Sequence, residues 1–186
     1  MASQVQWRRG TTAENNAFTG LSGEITVDTD LDELRIHDGI LAGGFAVPHR
    51  TQGTFTPVLG EAGVTVGDAA YNTGFTVGNW TRIGRVLYYN MTFRITSKGT
   101  VTGSSPVSIG GLPLAPPTTV DRGAASIFIH DGVSATNNGS FQGYISNTKT
   151  FVQFSVNDIS TGTHEPLQMN DITDTLYMQI SGHYTV

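Results

Sequence analysis

Strict alternation of apolar and polar positions is clearest between Val86 and Ile95, where Leu87, Tyr89, Met91, Phe93 and Ile95 fall on one face. Val86, Tyr88, Asn90, Thr92 and Arg94 fall on the other. A period of two marks a half-buried strand, so the first set is predicted to face a core. Ser126–His130, Phe141–Ser146, Phe151–Val156 and Leu176–Val186 are further strands, and in the last of them Leu176, Met178, Ile180, Tyr184 and Val186 share a face. Lys98-Gly99, Gly110-Gly111, Asn137-Asn138-Gly139 and Thr161-Gly162 mark turns between them. No stretch beyond residue 50 keeps a helical period for more than about two turns. From Gly53 the chain reads as an antiparallel β-sandwich or jelly roll of roughly seven to nine strands.

The first fifty residues read differently. Val5 to Gly10 is a short predicted strand closed by glycine. Thr11-Thr12-Ala13-Glu14 has capping-box spacing and opens a predicted helical turn from Thr12 to Phe18. Glu24–Asp28 and Glu33–His37 alternate on either side of a polar turn and predict a β-hairpin. Pro48 begins a linker ending near Gly53, so the expected division is residues 1–52 and 53–186. The first part has few apolar residues, among them Val5, Trp7, Phe18, Leu21, Ile25, Val27, Leu34, Ile36, Ile40 and Leu41. So small an apolar inventory, with no disulfide or metal, is marginal alone and calls for oligomerisation.

Charge and composition narrow the functions. Ten Lys and Arg stand against 15 Asp and Glu, a net charge of -5, which argues against a nucleic-acid partner. Charged residues are 13% of the chain, about half the ~25% of soluble proteins. There is no cysteine, which excludes disulfides, thiolate metal sites and cysteine nucleophiles. No apolar run reaches the ~18 residues of a membrane span, and the first thirty residues lack the apolar core of a secretion signal. Folding in a cytoplasm without membrane insertion is the expectation.

Two segments resemble known families. Trp7-Arg8-Arg9-Gly10-Thr11-Thr12-Ala13-Glu14, Gly23-Glu24-Ile25-Thr26-Val27-Asp28-Thr29-Asp30, Leu34-Arg35-Ile36-His37-Asp38-Gly39 and Gly43-Gly44 resemble the module that opens many bacteriophage tail-fibre and tropism-determinant proteins. The resemblance implies an intertwined trimer that fixes a fibre to the virion, with Val5, Trp7, Arg8 and Arg9 toward other virion proteins. Gly53-Thr54-Phe55-Thr56-Pro57, Trp80-Thr81-Arg82-Ile83-Gly84-Arg85 and Gly111-Leu112-Pro113 resemble the β-rich C-terminal domain of phage fibres. In such proteins this domain often contacts host-surface carbohydrate.

The candidate chemistry is that of binding. A sugar ring needs an aromatic plate flanked by polar groups, which points to Trp80 and Arg82 before the clearest strand and to Tyr88 and Arg94 on its outer face. Trp80 capping the sandwich, or Tyr88 lying in a subunit interface, is the alternative for each. Tyr71 and the Asn137-Asn138-Gly139 loop are weaker candidates. Asp28, Asp30 and Asp32 alternate as in a calcium loop, but the sixth position is Glu33 rather than glycine, which favours a solvated acidic turn. Ile36-His37-Asp38-Gly39 and Ile129-His130-Asp131-Gly132 are near-copies, each read as a strand ending in an Asp-Gly turn. The acids beyond residue 60 stand singly, and no serine occupies a nucleophile elbow, so neither a catalytic residue nor a cofactor is expected. The expectation is an all-β, homotrimeric, non-catalytic virion protein assembled in the host bacterial cytoplasm, anchored by its N-terminal module and displaying a sandwich for glycan recognition. The rivals are a head, neck or collar fibre, or other decoration protein, that binds no receptor, and a small glycan hydrolase.

Overall fold

The computed structural model describes residues 7–62, 64–116, 123–134, 140–145, 149–158 and 162–186. The chain divides into two compact units, Met1–Arg50 and Thr51–Val186. In unit 1 a four-stranded sheet runs in the order β1 (Arg8–Gly10), β2 (Ile25–Asp28), β3 (Glu33–Ile36), β4 (Phe45–Val47). β1 lies parallel to β2, and the other pairs are antiparallel. Helix α1 (Thr12–Ala17) connects β1 to the hairpin. Its capping box is formed as the spacing predicts: the Thr11 hydroxyl accepts from the Glu14 amide, and the Glu14 carboxylate accepts from the Thr11 amide at 2.7 Å.

Unit 2 is built from β5 (Arg50–Phe55), β6 (Val58–Glu61), β7 (Val64–Thr65), β8 (Ala70–Tyr71), β9 (Val77–Ile83) and β10 (Val86–Ser97). These are followed by β11 (Val107–Gly110), β12 (Gly123–Val133), β13 (Ser140–Ile145), β14 (Val152–Asp158), β15 (Thr163–Pro166) and β16 (Ile172–Thr185). Ten of them form one continuous path, β5-β9-β10-β16-β12-β13-β14-β11-β6-β7, with β8 beside β10 and β15 beside β14. The excess over seven to nine strands comes partly from β7 and β8, whose two residues each are too short to show an alternation.

The sheet folds over on itself. β6 lies far from β8 along the path, yet the Leu59 amide donates to the Tyr71 hydroxyl at 3.0 Å, and the Tyr71 ring meets Phe93 edge-on at 5.9 Å. The enclosed layer holds the predicted face of β10, namely Leu87, Tyr89, Met91, Phe93 and Ile95, together with Leu176, Met178, Ile180 and Tyr184 of β16. Leu59, Val107, Ile109, Ile145, Val152 and Phe154 fill it from the other half. Burial pushes the Tyr184 phenol up to about 12, and its hydroxyl donates to the Leu114 carbonyl at 2.6 Å.

The second of the near-copied motifs does not make a turn. β12 continues through His130, Asp131 and Gly132, and its register against β16 shifts on both sides of Asp131. Gly132 takes φ +83°, a left-handed value that permits the bulge without strain. The Asp-Gly pair thus bends a strand that an interior partner keeps paired, whereas at Asp38-Gly39 β3 has already ended.

Phe93 is fully buried, so Phe93→Ala is expected to destabilise unit 2 by about 3–5 kcal/mol in denaturant unfolding. Trp80 is half-buried against the core, so Trp80→Ala is expected to cost less, about 2 kcal/mol. A Trp80→Ala protein as stable as the parent would show the indole to be a free surface plate.

Candidate ligand face and the N-terminal module

In unit 1 the hairpin turns its polar face inward. Thr26 and Asp28 of β2, Arg35 of β3 and His37 just beyond it are buried, while Leu34 and Ile36 are exposed. Asp28 and Arg35 form an ion pair at 2.8 Å, with Asp28 wholly excluded from solvent. Arg35 Nη1 donates to Asn16 Oδ1 at 2.8 Å and to the Gly43 carbonyl at 3.1 Å. The Asp28 carboxylate also accepts from the Thr12 hydroxyl and from the amides of Asp30 and Leu31. The Gly20 amide donates to His37 Nδ1, which leaves Nε2 to donate to the Thr26 hydroxyl at 3.1 Å.

The turn itself, Thr29 to Asp32, is exposed as expected, and only Asp28 at the strand end before it is buried. Asp28 is an internal anchor, and Asp30 caps the Thr12 amide at 2.9 Å. Among the described residues no three His, Asp or Glu side chains gather to hold a metal ion.

Of the apolar inventory of unit 1, Phe18, Ile25 and Val27 are half-buried and most of the other described members lie outside. Ile40 is 85% and Leu21 79% exposed, and Trp7, Leu31, Leu41, Phe45 and Val47 are exposed with them. Of the residues expected to meet virion proteins, Trp7, Arg8 and Arg9 are exposed, and Val5 lies outside the described residues. Arg8 is held by Glu24 at 3.2 Å and lies 4.2 Å over the Phe18 ring.

In unit 2 the candidate sugar residues separate onto two faces. Trp80 and Arg82 pair with the core residues Tyr89 and Leu87 and share their side of the sheet. Trp80 stands over Gly53, where an added Cβ would come within 2.8 Å of the indole nitrogen. Arg82 Nε donates to the Gly84 carbonyl at 2.7 Å. Tyr88 and Arg94 occupy the outer face, six residues apart and hence about 20 Å from each other along the strand. Tyr71 is an interior residue packed on Phe93, and the Asn137-Asn138-Gly139 loop lies outside the described residues.

That outer face is laid out in cross-strand rows. Ala124, His183, Tyr88 and Thr81 form one; Ser126, Ser181, Asn90 and Asn79 form the next. Phe128, Gln179, Thr92 and Val77 form a third, and Asp131, Tyr177 and Arg94 a fourth. The middle rows line a shallow trough of about 330 Å³ floored by hydroxyl and amide side chains. Aromatic groups bound it at both ends. At one end Tyr88 leans on His183. At the other, His130 stacks on Tyr177 at 4.2 Å, Phe128 meets His130 edge-on at 4.6 Å, and Phe75 meets Tyr177 at 5.7 Å.

From the sequence, none of Phe75, Phe128 and Tyr177 is expected at a ligand site, and His130 is expected only as part of a strand ending in a turn. Phe128, His130 and Tyr177 are nonetheless readable there, as the outward complement of the inward alternation in β12 and β16. Phe75 sits in a 3-10 turn, where no alternation exists to reveal it.

The chain is thus an all-β protein of two units, one with an apolar exterior and one with an open aromatic and hydroxyl face. Residues 5–41 match the family model for the Major tropism determinant N-terminal domain. Over 45 residues the chain is 56% identical to the tail fiber receptor-binding protein of Bordetella phage BPP-1, a stretch that is 24% of this chain and 12% of that protein's length. Among solved structures, the Dettilon tailspike protein (gp208) superposes with a TM-score of 0.58 at 14% identity, over 73% of this chain and 24% of that one, a likeness of fold. The Major Tropism Determinant P3c variant aligns over 87% of this chain and 42% of its own, at 21% identity and a TM-score of 0.25. The chain is therefore similar, through its N-terminal module, to phage tail-fibre and tropism-determinant proteins, as the motifs from Trp7 to Gly44 imply.

The buried carboxylate gives unit 1 a pH dependence. Burial pushes the Asp28 pKa up, but the hydrogen bonds from Thr12, Arg35 and the two turn amides outweigh it and hold the group below its ordinary value. A depressed pKa means the stabilisation is complete above the unfolded value of about 3.9 and is lost as pH falls through the folded one. The calorimetric transition of unit 1 should therefore move to lower temperature below about pH 4. Asp28→Asn should lower stability at neutral pH and remove most of that acid dependence; an unchanged acid profile would contradict it.

Proposed function

We propose that this protein is a non-catalytic host-attachment fibre protein of a phage virion. Unit 1 holds copies of the chain together as a homotrimer and joins them to the particle. The outer face of unit 2 binds host-surface carbohydrate. The observation that carries the reading is the contrast between the two exposed surfaces. The exterior of unit 1 is apolar, as surfaces between permanent copies are. The face of unit 2 carries Ser, Asn, Thr and Gln between aromatic ends, a composition suited to the apolar faces and hydroxyl edges of sugar rings.

A binding rather than a hydrolytic role is supported by the employment of the acids. Asp68 accepts from the Thr100 amide and hydroxyl, Asp131 from the Gly132 amide, Asp171 from the Gln168 amide and Asp174 from the Lys98 amide. Each carboxylate closes its own local turn or crossing. A glycosidase pair would have to be held toward a shared substrate instead.

The reading is tested with purified protein and the phage's host cells. The chain should bind intact cells and compete with particle adsorption. Phe128 is 61% and Tyr88 49% exposed, so Phe128→Ala and Tyr88→Ala together should leave unfolding within about 1 kcal/mol of the parent. They should weaken cell binding about tenfold or more. Binding unaffected by the pair would remove this face from host recognition, and particles decorated normally yet indifferent to the protein in adsorption would favour a purely structural fibre.

A further inference from the structure

Arg94 is placed differently from the other arginines whose contacts are described. Its guanidinium carbon lies 5.6 Å from the Phe75 ring centre and 5.5 Å from that of Tyr177. Both distances fall inside the reach of cation–π attraction, about 6 Å. By contrast Arg35 is consumed by Asp28, Arg8 by Glu24, and Arg82 by the Gly84 carbonyl. Among the described residues no oxygen accepts a hydrogen bond from the Arg94 side chain. The rings thus fix the position of the cation while its N–H groups remain available. A guanidinium so held is a preorganised fork for the two oxygens of a carboxylate or phosphate.

The surroundings fit a ring that carries such a group. Next to Arg94 the stacked Tyr177–His130 pair and the exposed Phe128 offer an aromatic ledge, and Gln179, Thr92 and Ser181 continue from it along the trough. In the four rows of the face Asp131 is the single carboxylate, and one of its oxygens is already held by the Gly132 amide. In a chain of net charge -5, this end of the face keeps a cation for an outside anion.

We propose that the Phe75–Arg94–Tyr177–His130 ledge is a subsite for an anionic pyranose, with the exocyclic carboxylate or phosphate on Arg94 and the ring face on the neighbouring aromatics. This rests on the carbohydrate reading of the outer face and adds the class of sugar. Carboxylate and phosphate share the chemistry that Arg94 recognises.

The test is an array in which glucose, galactose and mannose oligosaccharides each appear as the neutral sugar, the uronic acid and the 6-phosphate, probed with the full chain. At least one anionic member should be retained about tenfold more strongly than its neutral counterpart, and the preference should shrink as salt is raised. The balance of uronate against phosphate identifies the source of the anion. Arg94→Gln should reduce the anionic member to the neutral level without affecting the neutral one, and Arg94→Lys, keeping the charge but not the fork, should fall between. Equal retention of neutral and anionic members, or a preference that survives Arg94→Gln, overturns the subsite and leaves the carbohydrate reading intact. Retention of no pyranose overturns both.

Discussion

A carboxylate and a guanidinium occupy the space inside unit 1 that an isolated small module would give to leucine and isoleucine. Asp28 cannot be left unpaired there, because an uncompensated buried charge is strongly destabilising. Arg35, Thr12 and two turn amides therefore converge on it, and their convergence ties α1, both hairpin strands and the Gly43 turn to one point. Once Thr26, Asp28 and Arg35 face inward, the pleat sends Leu34 and Ile36 outward with no further choice. An apolar exterior is the direct consequence of a polar interior.

Unit 2 obeys the ordinary rule, with its apolar core enclosed, and this leaves the residues of its outer face free of the core's packing demands. The long strands β10 and β16 are stiffened by a buried layer on one side, so the side chains on the other hold fixed spacings. Rows of small polar groups between aromatic ends follow from that rigidity. Side chains on such a surface can vary without disturbing the core beneath them.

Much of this was legible in the sequence. The alternation from Val86 to Ile95 identified the buried face residue by residue, and the Thr11–Glu14 spacing identified the cap. In the hairpin, alternation separated the two faces correctly but carried no information on which one is inside. Residue type normally settles that, and here it points the wrong way, because the buried Asp28–Arg35 pair takes the inner face and leaves Leu34 and Ile36 outside. Trp80 was similarly ambiguous. An indole beside polar neighbours reads as a plate, and only the approach of Gly53 from another strand shows what it packs against. The bulge at Gly132 was hidden for a related reason: an Asp-Gly pair ends a strand or bends it according to whether β16 continues alongside.

The proposed dependence of unit 1 on other copies is tested most directly by the mass of the full chain in solution as it is diluted, followed together with the folding of unit 1. Analytical ultracentrifugation should return three chains per particle at micromolar concentration, and dilution to monomer should unfold unit 1 while the unit 2 sheet stays intact. A monomer in which Thr26, Asp28 and Arg35 remain protected from solvent would contradict the account, since the exposed Leu21, Ile36, Ile40 and Phe45 would then have no partner to explain them.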